Sequence, residues 1–571
     1  MPTITIDGKL IECASGKTII EVATENGLMV PHFCWHPALS VSGNCRMCLV
    51  EVEKMPKLVI ACSTQVVDGQ VININNERVD KAREVIMEFL LINHPLDCPI
   101  CDEAGQCKLQ DYAFNHGTGE SRFSEVKNHK DKRVSLGPEV LFDAERCITC
   151  SRCIRFSDEI AEQPALTFVN RGDKVTIETF PGTSLDNCYS MNVIDICPVG
   201  ALTSKDFRFK SRVWDMSFND TICPGCSKGC NIQAGVRDNE ILRLEPRVNM
   251  KVNKYWMCDT GRLQEYDYVN NNRLLKYCVN KNETKFEEAI TSAISQLRSV
   301  NKNDILFITS PFATIEENYL FVKLAKEQFG AKRVYYCEYN DKDFADNKLK
   351  TSDRTPNSNG AKICGAEIIS AHQLADLIKL SVKAILTIDD HLFEFENKIS
   401  EDFELSETLT QMDAIIVCGS NSRPITEFAT TLIPQATYAE KEGTFVNVNG
   451  LVQHFEPVLV TESNLRIMGM KQSRLDKFGS YNDRWTQGEV RQVKSGFEIL
   501  KAFANSSGAK WSYLSESEVF EEISTKIISL NFMDYKKLDE YMGINFHEGN
   551  SPKIHGPVYV AHDLRPQNNN H

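Results

Sequence analysis

Two kinds of hydrophobic pattern divide the chain. Residues 3 to 6 and 9 to 12 alternate apolar and polar around Asp7-Gly8, which predicts a β-hairpin, and "KTIIEVATENG" follows as an amphipathic helix closed by Gly27. A hairpin followed by such a helix is how a small β-grasp domain begins. Val79, Ala82, Val85, Ile86, Phe89 and Leu90 fall on one helical stripe, which His94-Pro95 ends, so that His94 sits at the helix C-terminus facing the next loop. From residue 280 onward the texture changes to helices alternating with short apolar strands: "FEEAITSAISQL", "DILFITS", "EENYLFVKLAKEQFG", "RVYYCEY", "AHQLADLIKL", "KAILTID", "DAIIVCGS". Runs of this kind, buried on both faces, predict βαβ units on a parallel sheet. The closing "GPVYVAHDLRPQNNNH" has no periodicity and reads as a poorly ordered tail.

At 571 residues the chain is too long for one core; about three to five domains of roughly 100 to 200 residues are expected. No apolar run reaches the roughly 18 residues of a membrane span. The opening "MPTITIDGKL" lacks the basic and apolar regions of a secretory signal, which makes the cytoplasmic side the expected compartment and leaves membrane attachment to partner subunits. A net charge of -14, from 78 acidic against 64 basic residues, argues against a nucleic-acid partner.

Cysteine usage changes the picture most. Of 21 cysteines, 17 lie in residues 1–258, and Cys278, Cys337, Cys364 and Cys418 are scattered through the remainder. Thiols in a reducing compartment point to metal or redox chemistry, not disulfides. Cys34, Cys45, Cys48 and Cys62, with a close pair inside a small-residue loop, have the layout of a 2Fe-2S site with two thiolates per iron. Cys147, Cys150 and Cys153, with Cys197 in "CPVGAL", form one half of a bacterial-ferredoxin pattern. A two-cluster ferredoxin would carry cysteine at position 157; Ser157 stands there, so one 4Fe-4S cubane is expected, and Cys188 is left as a spare. Cys223, Cys226 and Cys230, joined by Cys258, make another cubane pattern for which a structural zinc ion is the alternative.

"HPLDCPICDEAGQC" brings three thiols, Cys98, Cys101 and Cys107, to a cubane that needs four ligands. His94 is the nearest competent donor, with His116 or an open iron position as rivals; histidine replaces thiolate in Rieske centres. Two nucleotide motifs are excluded. The "GKT" of residues 16–18 lacks the first glycine of a phosphate loop, where Ile11 stands, and no G-x-G-x-x-G fingerprint occurs.

These motifs, in this order, resemble the large iron-sulfur subunit of NADH:quinone oxidoreductase, respiratory complex I. The resemblance implies a multidomain α+β and α/β protein. Its parts are a β-grasp 2Fe-2S domain (1–78), a His/Cys-ligated 4Fe-4S domain (79–140), a ferredoxin-like 4Fe-4S domain (141–215) and a 4Fe-4S domain of molybdopterin-oxidoreductase type (216–272). A shortened, degenerate molybdopterin-oxidoreductase-like α/β region (273–550) and the tail (551–571) follow. It assigns Cys34, Cys45, Cys48 and Cys62 to the 2Fe-2S cluster and His94, Cys98, Cys101 and Cys107 to the first cubane. The second takes Cys147, Cys150, Cys153 and Cys197, and a remote, structural one takes Cys223, Cys226, Cys230 and Cys258.

"LIPQATYAEKEGTFVNVNGLVQHF", with its hairpin at Asn449-Gly450, carries the likeness of the second half. The 313 residues after Cys258 are short for a molybdenum-enzyme body, so no molybdopterin is expected. The implied role is an electron relay from an NADH- and FMN-binding partner subunit towards quinone-side hydrophilic subunits, in a peripheral arm on the cytoplasmic face of the bacterial inner membrane. The chain itself is expected to hold no NADH site. A molybdenum or tungsten enzyme such as an NAD-linked formate dehydrogenase is the alternative. An iron-only hydrogenase would need further cysteines in the second half, and a non-redox structural protein would make the thiol pattern a coincidence.

Overall fold

The computed structural model describes residues 1–394, 402–464 and 489–546, and the chain divides after Asp215 into two compact units. In the first, Thr3–Ile6 and Lys9–Glu12 form the antiparallel hairpin, with Ile6 opposite Lys9. Asp7 (φ 44°) and Gly8 (φ 81°) are both left-handed, as a two-residue turn between twisted strands requires. The sheet runs Lys9–Glu12, Thr3–Ile6, Val71–Asn73, Leu49–Val52, Val59–Ile60, and the pairing of Thr3–Ile6 with Val71–Asn73 is parallel. Helix Ile19–Glu25 opens with a capping box between Thr18 and Glu21 and buries Ile19, Ile20 and Val22 in a core that also contains Cys48 and Cys62. The expected β-grasp beginning is therefore present.

Helix Glu77–Leu91 forms where predicted, but its buried face differs. Val79, Arg83 and Met87 are inside, whereas Val85 and Phe89 are 53% and 77% exposed. An arginine is read as polar in any hydrophobic count, yet Arg83 is wholly buried against the Leu49 carbonyl (3.4 Å) and the Asp80 carboxylate (3.8 Å) and sets the inward face. The helix also ends before His94. Lys127 Nζ donates to the carbonyls of Leu91, Ile92 and His94 at 2.8, 3.0 and 2.8 Å, which caps the helix and carries His94 past its end. The rest of this unit holds a sheet ordered Leu202–Ser204, Val140–Phe142, Val134–Ser135, and a hairpin of Leu166–Val169 with Thr176–Thr179.

The second unit begins with a three-stranded antiparallel sheet, Ser217–Ile222, Asn231–Arg237 and Glu240–Pro246, against which helix Asp259–Asn270 packs. Its body is an eight-stranded sheet ordered Asn282–Thr284, Tyr277–Val279, Thr431–Pro434, Ala414–Gly419, Ala384–Thr387, Ile305–Thr309, Tyr335–Cys337, Glu367–Ile369. The last six in that order pair in parallel. Ile305 and Phe307 point to helices Phe286–Ser299, Ile315–Phe329 and Gly496–Ser506, while Leu306 and Ile308 point to Ala371–Ser381 and Phe403–Thr410. Helices on both faces explain why the strands read as continuous apolar runs. The hairpin Gly443–Val446 with Leu451–Phe455 turns through Gly450 (φ 79°) and takes a third strand from Ile544–Asn545. The predicted tail, 551–571, lies outside the described residues. Among the described residues no helix is long and apolar enough to cross a membrane.

One buried ion cluster ties distant parts of this unit. Glu440, whose side chain is fully buried, accepts from Arg273 at 2.7 and 2.8 Å and from Arg491 at 2.9 Å. Burial alone would raise its carboxyl; the two guanidiniums outweigh that and hold it down at about 2. Because this pKa lies below the unfolded value, the stabilisation is complete above the unfolded pKa and is lost as pH falls towards 2. Glu440→Gln leaves two buried arginines without their counter-ion and is expected to cost about 3–5 kcal/mol at neutral pH. Denaturant unfolding of both proteins checks this, and the gap between them is expected to close as pH is lowered from about 5.

Candidate metal centres

The first donor set is built on the loop between the β-grasp helix and strand Leu49–Val52. Gly43 (φ 65°) and Arg46 (φ 59°) curl this loop so that the Cys34 amide donates to Cys45 Sγ at 3.5 Å. Strand Val59–Ile60 delivers Cys62, and the Ala61 amide donates to the Cys48 carbonyl at 2.9 Å. The thiols stand in two pairs. A hydrogen bond shared by Cys34 and Cys45 lowers Cys34 and raises Cys45, and one shared by Cys48 and Cys62 lowers Cys62 and raises Cys48.

Cys147, Cys150 and Cys153 lie on a loop in which Thr149 (φ 52°) and Ser151 (φ 64°) are left-handed, so that the Thr149 amide turns onto Cys147 Sγ at 3.4 Å. Cys197 closes the set electrostatically: burial is the largest influence on its thiol, and Cys150, Cys153 and Cys147 all raise it further. Burial likewise lifts Cys153 far above the ordinary thiol range and Cys147 to about 12. Ser157 is fully buried; its hydroxyl donates to the Gln163 carbonyl (2.6 Å) and accepts from the Ala165 amide (3.2 Å), so this position serves the backbone.

These two sets are fastened together. Arg155 Nη2 donates to the Cys34 carbonyl (2.5 Å) and the Cys150 carbonyl (3.5 Å), and Asn44 Nδ2 donates to the Thr149 carbonyl at 3.0 Å. The wholly buried Arg152 donates to the Ile196 carbonyl at 2.9 Å and to the Trp35 carbonyl. Neither arginine announces itself as functional in the sequence, although both sit inside the "CSRCIRF" run.

The third set adjoins the second through the segment Cys197–Gly200. The Pro198 carbonyl accepts from the Lys108 amide at 3.1 Å and lies 4.0 Å from Cys107 Sγ, while a Cβ on Gly200 would stand 2.2 Å from Cys101 Sγ. Cys101 and Cys107 are buried, and Cys98, on the turn Cys98–Ile100, is exposed. Burial, reinforced by Lys127 and Arg146, lowers His94 to about 4 and keeps its ring neutral, the form that ligates a metal. Arg146 also acts on Cys101, so His94 and this thiol share one cationic neighbour. The electrostatic neighbours of His116 are instead Arg83 and Asp80 on the β-grasp side, and its ring centroid is 6.0 Å from that of Tyr112.

In the second unit, Cys223, Cys226, Cys230 and Cys258 line one cavity with Gly261 and Met257. The Cys223 amide donates to the Cys230 carbonyl at 2.9 Å, and Cys258 caps helix Asp259–Asn270, its sulfur accepting from the Gly261 amide at 3.3 Å. A Cβ on Gly261 would lie 3.1 Å from Cys223 Sγ and 3.3 Å from Cys258 Sγ. Buried Glu265, raised to about 7 by desolvation, abuts Gly225 of this loop. Among the described residues no three His, Cys, Asp or Glu side chains gather tightly enough for a single ion. Thiol donors on glycine-relieved loops suit iron-sulfur clusters, which spread their ligands over several irons.

The order and chemistry of these donor sets suit iron-sulfur binding domains. Family models match in the same order: a 2Fe-2S iron-sulfur cluster binding domain over residues 1–77, the NADH-ubiquinone oxidoreductase-G iron-sulfur binding region over 83–122, and the NADH-quinone oxidoreductase subunit 3 ferredoxin-like domain over 137–203. A molybdopterin oxidoreductase Fe4S4 domain follows over 216–271 and a molybdopterin oxidoreductase domain over 369–466. The chain is 40% identical over 332 residues to the NADH-quinone oxidoreductase G-chain of Rickettsia conorii, covering 57% of this chain and 49% of that protein. It is 38% identical over 364 residues to the NADH-ubiquinone oxidoreductase 75 kDa subunit of Reclinomonas americana, covering 62% and 52%. The 78 kDa mitochondrial subunit of Neurospora crassa is 43% identical over 289 residues, covering 50% and 38%. The chain spans about half the length of the curated relatives it matches.

Gly200→Ala drives a methyl group into Cys101 Sγ and the Glu103 Cβ (2.9 Å). It is expected to lower the iron content of the purified chain by about one cubane and to weaken one cubane signal in the electron paramagnetic resonance (EPR) spectrum, leaving the 2Fe-2S signal intact.

Proposed function

We propose that this chain is an electron-relay subunit of an NADH:quinone oxidoreductase, passing single electrons from a flavin-bearing partner towards quinone. The observation that carries the reading is the continuity of three donor sets within the first unit. Arg155 and Asn44 join the Cys34 loop to the Cys150 loop, and Pro198 and Gly200 join that set to Cys101 and Cys107. In the bound state the clusters supply the redox chemistry. The chain positions them, excludes water by burial and sets their potentials through amide and guanidinium donors.

The assignment is one 2Fe-2S cluster on Cys34, Cys45, Cys48 and Cys62, and 4Fe-4S clusters on three further sets. These are His94, Cys98, Cys101 and Cys107; Cys147, Cys150, Cys153 and Cys197; and Cys223, Cys226, Cys230 and Cys258. The thiol pairing supports Cys34 with Cys45 on one iron of the 2Fe-2S site and Cys48 with Cys62 on the other. A neutral imidazole that shares Arg146 with Cys101 supports His94 over His116 as the fourth ligand. The Cys223 set has a structural role. The exposed Val85 and Phe89 on one helix, and Phe114 (91% exposed) on the helix packed against it, support a face covered by a partner subunit.

The relay reading is tested with the iron-loaded chain. NADH alone is expected to leave its clusters oxidised and dithionite to reduce them. Oxidation of NADH by the chain alone, or stoichiometric molybdenum, would return the reading to a catalytic enzyme such as a formate dehydrogenase, which the relatives do not favour. His94→Cys is expected to keep its cubane at a lower potential, because a thiolate adds one negative charge, and His94→Ala to empty or damage it. An unchanged cubane signal in His94→Ala would pass the role to another group.

A further inference from the structure

Arg152 is a cation that the described residues leave without a counter-ion. It is 3% exposed, so bulk water does not screen it, and an arginine stays charged inside a protein. Its guanidinium donates to two neutral acceptors, the Ile196 carbonyl at 2.9 Å and the Trp35 carbonyl, and its Nε has no acceptor. Among the described residues no carboxylate forms an ion pair with it. Buried Arg146 and Arg273, by contrast, pair with Asp97 at 2.9 Å and Glu440 at 2.7 Å. A cation stripped of water is costly to a fold unless negative charge is placed near it.

The place of this cation shows where that negative charge belongs. Its two carbonyl acceptors directly follow Cys34 and directly precede Cys197, so it is bonded into two donor sets at once. Burial is the largest influence on its charge and opposes it; Cys150, Cys45, Tyr112 and Cys197, in that order, favour it. Desolvation pushes Tyr112 up to about 12, which leaves thiols of the same two sets as the groups that can turn anionic. The buried rings of His32 and His36, on either side of Cys34, add no charge: burial lowers both, and Lys108 and Arg152 lower them further. Arg155 reaches the Cys34 and Cys150 carbonyls but is only half-buried, where water and salt screen it. An iron-sulfur cluster on four thiolates is negative in both oxidation states. One-electron reduction adds one further negative charge to it, with no bond formed or broken and no proton moved.

We propose that Arg152 is the shared counter-charge of the Cys34 and Cys150 centres, a positioning residue that raises the midpoint potentials of both by favouring their reduced forms. The inference rests on the proposed cluster assignment and not on the direction of electron flow. At an effective dielectric of about 20, a unit charge about 10 Å away biases a one-electron equilibrium more than tenfold. The test is a potentiometric titration of the iron-loaded full chain followed by EPR, with the Cys150 cubane identified as the signal lost in Cys150→Ala. Arg152→Gln, which keeps an N–H donor and removes the charge, is expected to make both centres about tenfold harder to reduce, a fall of about 59 mV in each potential. Arg152→Lys, which keeps the charge, is expected to hold both near their parental values. Absence of the two signals from the parental loaded chain would overturn the cluster assignment itself. Parental signals with potentials unchanged in Arg152→Gln, a shift confined to one centre, or an equal fall in Arg152→Lys would overturn the counter-charge alone. Should Arg152→Gln lose a cluster, retention in Arg152→Lys supports the requirement for charge, and equal loss in both variants overturns it.

Discussion

The cost of burying sulfur as an anion is the constraint on which this structure depends. Cys153, Cys223 and Cys230 are buried and Cys197 is half-buried, and desolvation drives all four thiols far above the ordinary range. A cluster needs those sulfurs ionised, so the metal must supply the charge compensation that water supplies in the unfolded chain, and binding releases protons. The fold assists with oriented donors instead of counter-ions alone: left-handed Thr149 and Ser151, the Gly261 amide on Cys258, and the arginines that hold adjacent loops. On the proposed assignment, folding and cluster binding are thermodynamically linked in the first half of the chain.

The same constraint explains the close sharing of parts. The Cys197–Gly200 segment supplies a sulfur to one set while its next residues pack on another, and Gly200 has no room for a Cβ because Cys101 sulfur occupies that space. Arg152 spans the backbone beside Cys34 and the backbone before Cys197. Neighbouring centres held through shared backbone keep a fixed separation, which is what electron transfer asks of a scaffold. The second unit depends on a different device, an ordinary doubly covered parallel sheet with a buried carboxylate between two arginines.

Much of this was legible in the chain. The Asp7-Gly8 turn, the strands 305–309, 384–387 and 414–419, and the helices between them follow from alternation, apolar runs and turn residues, because local preference and burial agree there. Cysteine spacing on a loop carries the candidate donor sets because sulfur spacing is itself the chemical requirement, and Cys223, Cys226, Cys230 and Cys258 do line one cavity. Other features were hidden for a physical reason. The inward face of helix Glu77–Leu91 is set by Arg83, whose burial no hydrophobic count assigns, and the helix stops early because Lys127, distant in sequence, takes its last carbonyls. Arg155 and Gly200 matter only through residues far along the chain, so spacing carries no trace of them.

The central claim is that the Cys34 and Cys150 centres form adjacent links of one relay, joined by Arg155. The most direct measurement is the electron spin relaxation of the reduced 2Fe-2S signal as the neighbouring cubanes are stepwise reduced. The account predicts that reduction of the Cys150 cubane speeds this relaxation, and that Cys150→Ala removes the effect while the 2Fe-2S signal persists. A relaxation rate indifferent to the redox state of that cubane would contradict it.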